Sequence, residues 1–341
     1  MRKLLNTLYV TTPDSFLSKE GDNVVVMVKG TEKFRIPIYN IEGIVSFGYT
    51  GASPALMKMC ADKNIGLCFL TEHGEFLGRV SGPIKGNVLL RRQQYRIADE
   101  KEASLNLSRI FIAGKIANCR NVVQRSIRDH GDELNILDAA SKNLLLKSRQ
   151  SFNAIDSNQL RGIEGEAATS YFGVFNQLIK NSDSSFYFGG RTRRPPKDNV
   201  NALLSFIYML LAHEVQSALE SVGLDPYVGF LHTDRPGRAS LALDIMEEFR
   251  PYLADRLVLS LINRRQVSGK GFVQQGEKGI IMTDETKKEI LLTWQKRKKE
   301  SIQHPFLGET VNIGLLPYIQ AMLLARYIRG DIDNYPVFVM K

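Results

Sequence analysis
The residues able to do chemistry in this chain of 341 residues stand on two stretches of helical character. Between residues 156 and 179 the apolar positions Leu160, Ile163, Ala167, Ala168, Tyr171, Phe172, Phe175, Leu178 and Ile179 recur with the helical period, and Ser157 or Asn158 is placed to cap the start. Glu164 falls inside that stripe, where it is expected to be largely buried, whereas Glu166 points the other way into solvent. An ionised carboxylate in an apolar stripe needs a cation, hydrogen-bond donors or a proton. An internal salt bridge to an arginine would satisfy Glu164, and so would service as a metal ligand or as an acid/base group in a cleft.

The second stretch opens on GFLHTD. An apolar run from Tyr227 to Leu231 delivers His232 into a polar loop, Thr233 to Arg238, and a helix then starts near Ser240. Leu241, Ile245, Met246, Phe249, Leu253 and Leu257 form its apolar side, and Asp244, Glu247 and Glu248 share the opposite one. Standing alone, such a trio reads as an ordinary solvated face. Beside a histidine and a stripe-bound glutamate it is also a ligand set suited to Mg²⁺ or Mn²⁺.

Other chemistries find less support. His213 and Glu214 open like a zinc-protease helix, but Ser217 stands where the second histidine belongs. His73, His130, His213 and His304 read as structural or solvent-exposed. There is no GxxxxGK[ST] loop, dinucleotide fingerprint or GxSxG elbow, which disfavours nucleotide hydrolysis, hydride transfer and serine-hydrolase chemistry.

The elements that must position these residues fall into two regions. LLNTLYV, NVVVMVK, FRIPI, IEGIVSFG, IGLCFL and EFLGRV, within residues 4–80, are short β-rich runs separated by turn signals such as Glu20-Gly21-Asp22-Asn23 and His73-Gly74, with one helix expected over Ser53 to Lys63. From about residue 95 the pattern turns helical, through Ile110, Ile112, Ala113 and Ile116 and then Leu134, Ile136, Leu137, Leu144 and Leu145. The expected fold class is α+β: a β-rich N-terminal domain over residues 1–85, a linker over 86–94 and a larger all-α domain over 95–341.

Lys and Arg number 45 against 36 Asp and Glu, a net charge of +9, and 43% of residues are hydrophobic. That composition excludes a disordered or collagen-like chain and permits a polyanionic partner. The excess is uneven: Met1 to Lys85 holds ten basic and eight acidic residues, so +7 of the +9 lies beyond it. It clusters at Arg91/Arg92, Arg191-Thr192-Arg193-Arg194, Arg264/Arg265 and Lys296-Arg297-Lys298-Lys299, runs that are solvated faces or, taken together, a nucleic-acid surface. The broken apolar run of MRKLLNTLYVTTPD makes a poor signal peptide, and Leu203 to Ala212 is far short of the roughly 20 residues of a membrane span. Cys60, Cys68 and Cys119, without CxxC spacing, read as core thiols of a cytoplasmic protein.

With these residues in view the chain resembles the CRISPR-associated integrase that captures new spacers, the universal nuclease-like protein of the adaptation step, and most closely its members in type I-C systems. The resemblance is carried by LRGIEGEAATSYF (Leu160 to Phe172), the block from Ala202 to His232, SLALDIMEEFRP (Ser240 to Pro251), NRRQ (Asn263 to Gln266) and ARYIRGDIDNYPVF (Ala325 to Phe338), in that order and spacing. It implies a divalent metal, Mg²⁺ or Mn²⁺, held by Glu164, His232 and Glu247, with Glu248 the alternative third ligand and Asp244 an accessory acid and candidate general base. It implies transesterification by a DNA 3′-hydroxyl into the CRISPR repeat, or endonuclease cleavage when water takes the hydroxyl's place. It also implies a homodimer and a small ferredoxin-like CRISPR-associated acquisition protein as partner. Arg191, Arg193, Arg194, Arg264 and Arg265 are the candidates for holding double-stranded DNA; Arg264 and Arg265 would otherwise brace helix ends or pair with Asp331 and Asp333. A structure-selective repair nuclease and a non-catalytic DNA-binding scaffold are the alternatives.

Overall fold
The computed structural model of the chain describes residues 6–48, 51–63, 65–72, 76–80, 82, 88–276 and 279–340. Contacts divide the chain into a strand-rich unit, Met1–Lys85 with Met282–Ile302 and Asn312–Leu315, and a helical unit, Gly86–Ile281 with Gln303–Val311 and Leu316–Lys341. An α+β chain with its strands first is what the residue pattern leads one to expect.

In the strand-rich unit, β1 (Thr7–Val10), β2 (Ser15–Glu20), β3 (Asn23–Val28), β4 (Thr31–Pro37), β5 (Gly43–Phe47) and β6 (Gly51–Ala52) precede helix α1 (Pro54–Asp62), and β7 (Gly66–Leu70) and β8 (Phe76–Val80) follow it. One sheet runs β1-β5-β7-β8, parallel except for β8, and the other runs β4-β3-β2-β6. Val10, Leu17, Val24, Ile38, Ile44, Leu56 and Leu67 meet in one core. Ser53 caps α1 by accepting from the Leu56 amide, with Pro54 at its first turn, where a missing N–H costs nothing. Strand β2 has no counterpart in the sequence reading. Its alternation lasts only from Ser15 to Leu17, with Phe16 exposed, before Lys19 and Glu20 break it. The turn at His73 lies outside the described residues.

The helical unit contains α2 (Val88–Asp99), α3 (Lys101–His130), α4 (Ile136–Phe152), α5 (Ser157–Gly173), the short α6 (Phe175–Leu178), α7 (Asn199–Val222), α8 (Ser240–Phe249), α9 (Arg256–Asn263) and α11 (Leu316–Arg329). Helix α10 (Asp284–Lys299) groups with the strands instead. There Gln295 donates to the Thr7 carbonyl at 2.9 Å, Lys287 Nζ to the Glu72 carbonyl at 2.7 Å, and Trp294 is buried. A division at a single point along the chain therefore does not describe the contacts. Nor is 86–94 a linker throughout: from Val88 onward it is helix α2, and residues 83–87 lie outside the described set.

Helix α3 is the buried centre of the helical unit, packed by α4, α5 and α8. Asp156, rather than Ser157 or Asn158, caps α5, accepting from the amides of Asn158 and Gln159. The helix expected from Ser240 through Leu257 is interrupted by a π-helical turn, Arg250–Asp255, with Pro251 in it. Helix α7 is long and apolar enough to cross a membrane by length and composition, but 67% of its most apolar window is buried within the protein. The three cysteines are free and buried, as core thiols should be.

Candidate active site
The loop that carries His232 is held from three sides. Gln94 of α2, fully buried, donates to the carbonyls of Asp225 and Val228, both at 2.8 Å, and accepts from the Asp225 amide. Ser104 of α3 donates to the Phe230 carbonyl. From α8, Asp244 Oδ2 accepts from the amides of Phe230 (2.6 Å) and Leu231 (3.0 Å), and Oδ1 meets the His232 amide (3.0 Å) and His232 Nδ1 (2.6 Å). So tight a wrap requires glycine at 229, because a Cβ there would lie 2.8 Å from Asp244 Oδ2 and 2.9 Å from Ser240 Cβ.

This geometry corrects the reading of Asp244. It is wholly buried and both of its oxygens are engaged by the loop, so it is neither a free general base nor a ligand. Instead it fixes the ring orientation of His232 through Nδ1 and leaves Nε2 as the nitrogen available for chemistry, the second-sphere arrangement of carboxylate-oriented histidines.

Glu164 and Glu247 are brought to one cation. Lys115, from the middle of α3, places Nζ 2.5 Å from Glu164 Oε1 and 2.7 Å from Glu247 Oε2. The contact with Glu247 Oε2 is an ion pair inside the protein, where that carboxylate is almost wholly enclosed. Arg250, in the π-helical turn, adds a contact to Glu247 Oε1 at 3.3 Å. Burial pushes the Glu247 carboxyl up, but Arg250, Lys115 and His232 outweigh it and hold it at about 2. Burial likewise pulls the Lys115 ammonium down, and Glu247 and Glu164 carry it above its ordinary value. Glu164 is half-buried, with 30% of its side chain exposed, less enclosed than its place in the stripe implies; Glu166 is exposed as expected and pairs with Lys147.

The three carboxylates of α8 are all buried, which overturns the solvated-face reading. They also serve three different ends. Glu248 faces away from Glu247, accepting from Tyr335 Oη (2.6 Å), the Phe338 amide and Gln320 Nε2. Burial raises its carboxyl to about 8 against the pull of those three bonds. Of the two neighbouring glutamates, Glu247 is the one that meets Glu164 through Lys115.

Behind this centre a small cleft of about 40 Å³ is lined by Lys115, Glu164, Arg191, Arg193, Tyr208 and Arg250, with Asp255 at its wall. Asp255 accepts from Tyr208 Oη (2.6 Å) and Tyr171 Oη (3.1 Å), and burial raises its carboxyl to about 6 against the pull of those bonds and of Arg191 and Arg250. The guanidinium groups of Arg250 and Arg191 stand 4.9 and 5.3 Å from the Tyr208 ring. Arg191 is a structural residue: it donates to the Thr192 carbonyl, Asn201 Oδ1 and Ser205 Oγ. Arg193, Arg194, Arg264 and Arg265 are exposed. Arg264 and Arg265 do not pair with Asp331, which takes Arg329. In the run Lys296 to Lys299, Lys298 is buried and Arg297 pairs with Glu300, so that run is not a free basic face.

Two carboxylates turned to one cation position are hard oxygen donors of the kind Mg²⁺ and Mn²⁺ take. As the chain stands, the ammonium of Lys115 fills that position. Among the described residues no three His, Cys, Asp or Glu side chains lie close enough together to hold an ion: Glu164 and Glu247 meet through Lys115, and His232 is not drawn into that group. Lys115 and Arg250 are the residues that sequence reasoning missed. Lys115 carried the same signal as Glu164, a lone charge within an apolar helical run, IFIAGKIANC.

Comparison with known proteins gives the class. The chain is 52% identical over 343 residues to a CRISPR-associated endonuclease, Cas1 1, of Chlorobaculum tepidum, covering 100% of both. The family model described as CRISPR associated protein Cas1 matches residues 8–296, and the chain belongs to the Cas1 family. A CAS1 protein from Thermotoga maritima has the same fold, with a TM-score of 0.82 and 25% identity over 98% of this chain and 100% of that one. The fold also recurs in a casposase bound to its integration product, with a TM-score of 0.85 and 21% identity over 97% and 92% of the two chains.

Proposed function
We propose that this Cas1-family nuclease is a metal-dependent DNA integrase and endonuclease that inserts captured DNA fragments into the CRISPR repeat. The observation that carries the reading is the pairing of Glu164 and Glu247 on a single cation position at the edge of an arginine-lined cleft. Glu164 and Glu247 would hold Mg²⁺ or Mn²⁺, with His232 as third ligand through Nε2. When bound, that ion supplies Lewis-acid charge at a phosphodiester oxygen. Asp244 keeps His232 in the tautomer that leaves Nε2 unprotonated. Arg250 keeps Glu247 ionised. Arg193, Arg194, Arg264 and Arg265 bind the DNA backbone.

In the reaction the 3′-oxygen of the captured strand bonds to a repeat phosphorus as the bond from that phosphorus to the repeat's own 3′-oxygen breaks. The proton lost by the attacking hydroxyl is matched by one gained by the departing oxygen. Water in place of the hydroxyl gives cleavage. Two further elements belong to the same proposal: a cytoplasmic homodimer working with a small ferredoxin-like CRISPR-associated protein, and kinship with type I-C systems.

The test is strand joining into a repeat-bearing supercoiled plasmid, with and without the partner, in Mg²⁺, Mn²⁺ or EDTA. Glu164→Ala and His232→Ala are expected to abolish joining while leaving fold and DNA binding intact. Wild-type rates in both variants would overturn the site, equal baselines in EDTA and Mn²⁺ would point to a scaffold, and activity without preference for repeat DNA would point to a repair nuclease.

A further inference from the structure
Lys115 has a stated position and no role in the reaction just described. Its side chain is 15% exposed, and its ammonium makes ionic contact with both Glu164 and Glu247. Together with Arg250 it balances two negative charges with two positive ones. A divalent ion bound by the same two oxygens would sit about 2.0–2.2 Å from each. The ammonium, 2.5 and 2.7 Å from those atoms, occupies the same space, and like charge forbids the two from sharing it. A lysine has the means to leave, since its four-carbon stem is flexible and its charge is compact. The stem is not locked in the core, because Lys115 keeps 15% of its side chain exposed and lines a small open cleft together with Glu164 and Arg193.

We propose that Lys115 is an internal counter-ion that holds Glu164 and Glu247 together without metal and competes with the divalent ion for them, so that metal loading and ammonium release are one exchange. The inference rests on the metal reading above. In the absence of metal it keeps the glutamates neutralised and positioned; on loading, it frees one cation at the mouth of the cleft for a DNA phosphate.

The experiment is Mn²⁺ binding to the intact protein, read as loss of the free-ion electron paramagnetic resonance signal, for wild type, Lys115→Met and Glu164→Gln. If the lysine-bound state dominates, removing it raises Mn²⁺ affinity about tenfold or more, because apparent affinity scales with the competent fraction. Affinity unchanged or weakened in Lys115→Met, with wild type still binding and Glu164→Gln not, overturns the exchange and leaves the metal site standing. Absence of binding in both wild type and Lys115→Met removes the metal reading itself, and this inference with it. A second measurement needs no variant: reductive methylation of the wild-type protein followed by peptide mass spectrometry should modify Lys115 several-fold faster in saturating Mg²⁺ than in EDTA. Equal or slower modification overturns the proposal.

Discussion

Asp244 Oδ1 lies 2.6 Å from His232 Nδ1, while its Oδ2 accepts the backbone amides of Phe230 and Leu231. One buried carboxylate thus shapes the loop and orients the ring that the loop delivers. Asn at 244 keeps the shape but turns one acceptor into a donor, so it sets an amide against either the backbone N–H groups or the ring nitrogen. Asp244→Asn is expected to lower metal-dependent strand joining about 10–100-fold, the usual cost of losing such a partner. Initial joining rates and a thermal melt decide it: a folded variant at the wild-type rate would remove Asp244 from the machinery.

Glu247 and Glu248 are neighbours in sequence with opposite tasks. Glu248→Ala strips the acceptor from Tyr335, Gln320 and the Phe338 amide, and should cost at least about 2 kcal/mol of stability in a denaturant titration. Glu248→Gln, which keeps an acceptor oxygen and nearly the same shape, should cost far less. Glu247→Ala should abolish joining and, by leaving Lys115 and Arg250 to face one carboxylate, also lower the midpoint, whereas Glu248→Gln should keep joining near the wild-type rate. Reversed phenotypes would exchange the two assignments.

The exposed arginines and the engaged one should separate cleanly. Changing both Arg264 and Arg265 to Ala is expected to reduce the slope of log binding against log salt by about 2, at roughly 0.9 per phosphate contact, without loss of stability. Arg191→Ala, which removes three hydrogen bonds and a stack on Tyr208, is expected to lower the melting temperature instead. An unchanged salt slope in the double variant takes Arg264 and Arg265 off the DNA path.

Asp255 gives a pH signature. Its folded-state value of about 6 lies above the 3.8 of the free group, so the native state binds the proton more tightly than the unfolded chain. Its contribution to stability is complete below about pH 4 and is lost as pH rises through 6. Asp255→Asn does not titrate, so its stability relative to wild type should improve between pH 5 and pH 8. Parallel melting curves across that range would contradict the burial-driven shift.

The parts legible in the residues were those governed by local periodicity and by charge out of place. Ser53 to Lys63 reads as an amphipathic helix and is one over Pro54–Asp62, and Glu164 betrays itself by standing among Leu160, Ala167 and Tyr171. What escaped depends on partners far away in sequence. The face of Asp244, Glu247 and Glu248 looks solvated on a helical wheel because the wheel contains neither α3 nor Tyr335. The π-helical turn that aims Arg250 at Glu247 leaves only Pro251 as a trace, and a proline there reads equally well as a helix stop. Nor does any local pattern tie Gln295 to Thr7, 288 residues away.

The same remoteness bears on how the protein is made. Glu248 receives the Phe338 amide from 90 residues downstream, and Asn118 donates to the Phe338 carbonyl from 220 residues upstream. On a ribosome adding about 5–20 residues per second, the helix bearing Glu247 emerges several seconds before the segment that seals it. During that interval its neighbouring carboxyl has no Tyr335 or Phe338 to meet and stays hydrated and ionised. The carboxylate face of this helix is therefore completed late in synthesis, and a nascent chain halted before residue 335 would carry Glu248 without the clasp that holds it.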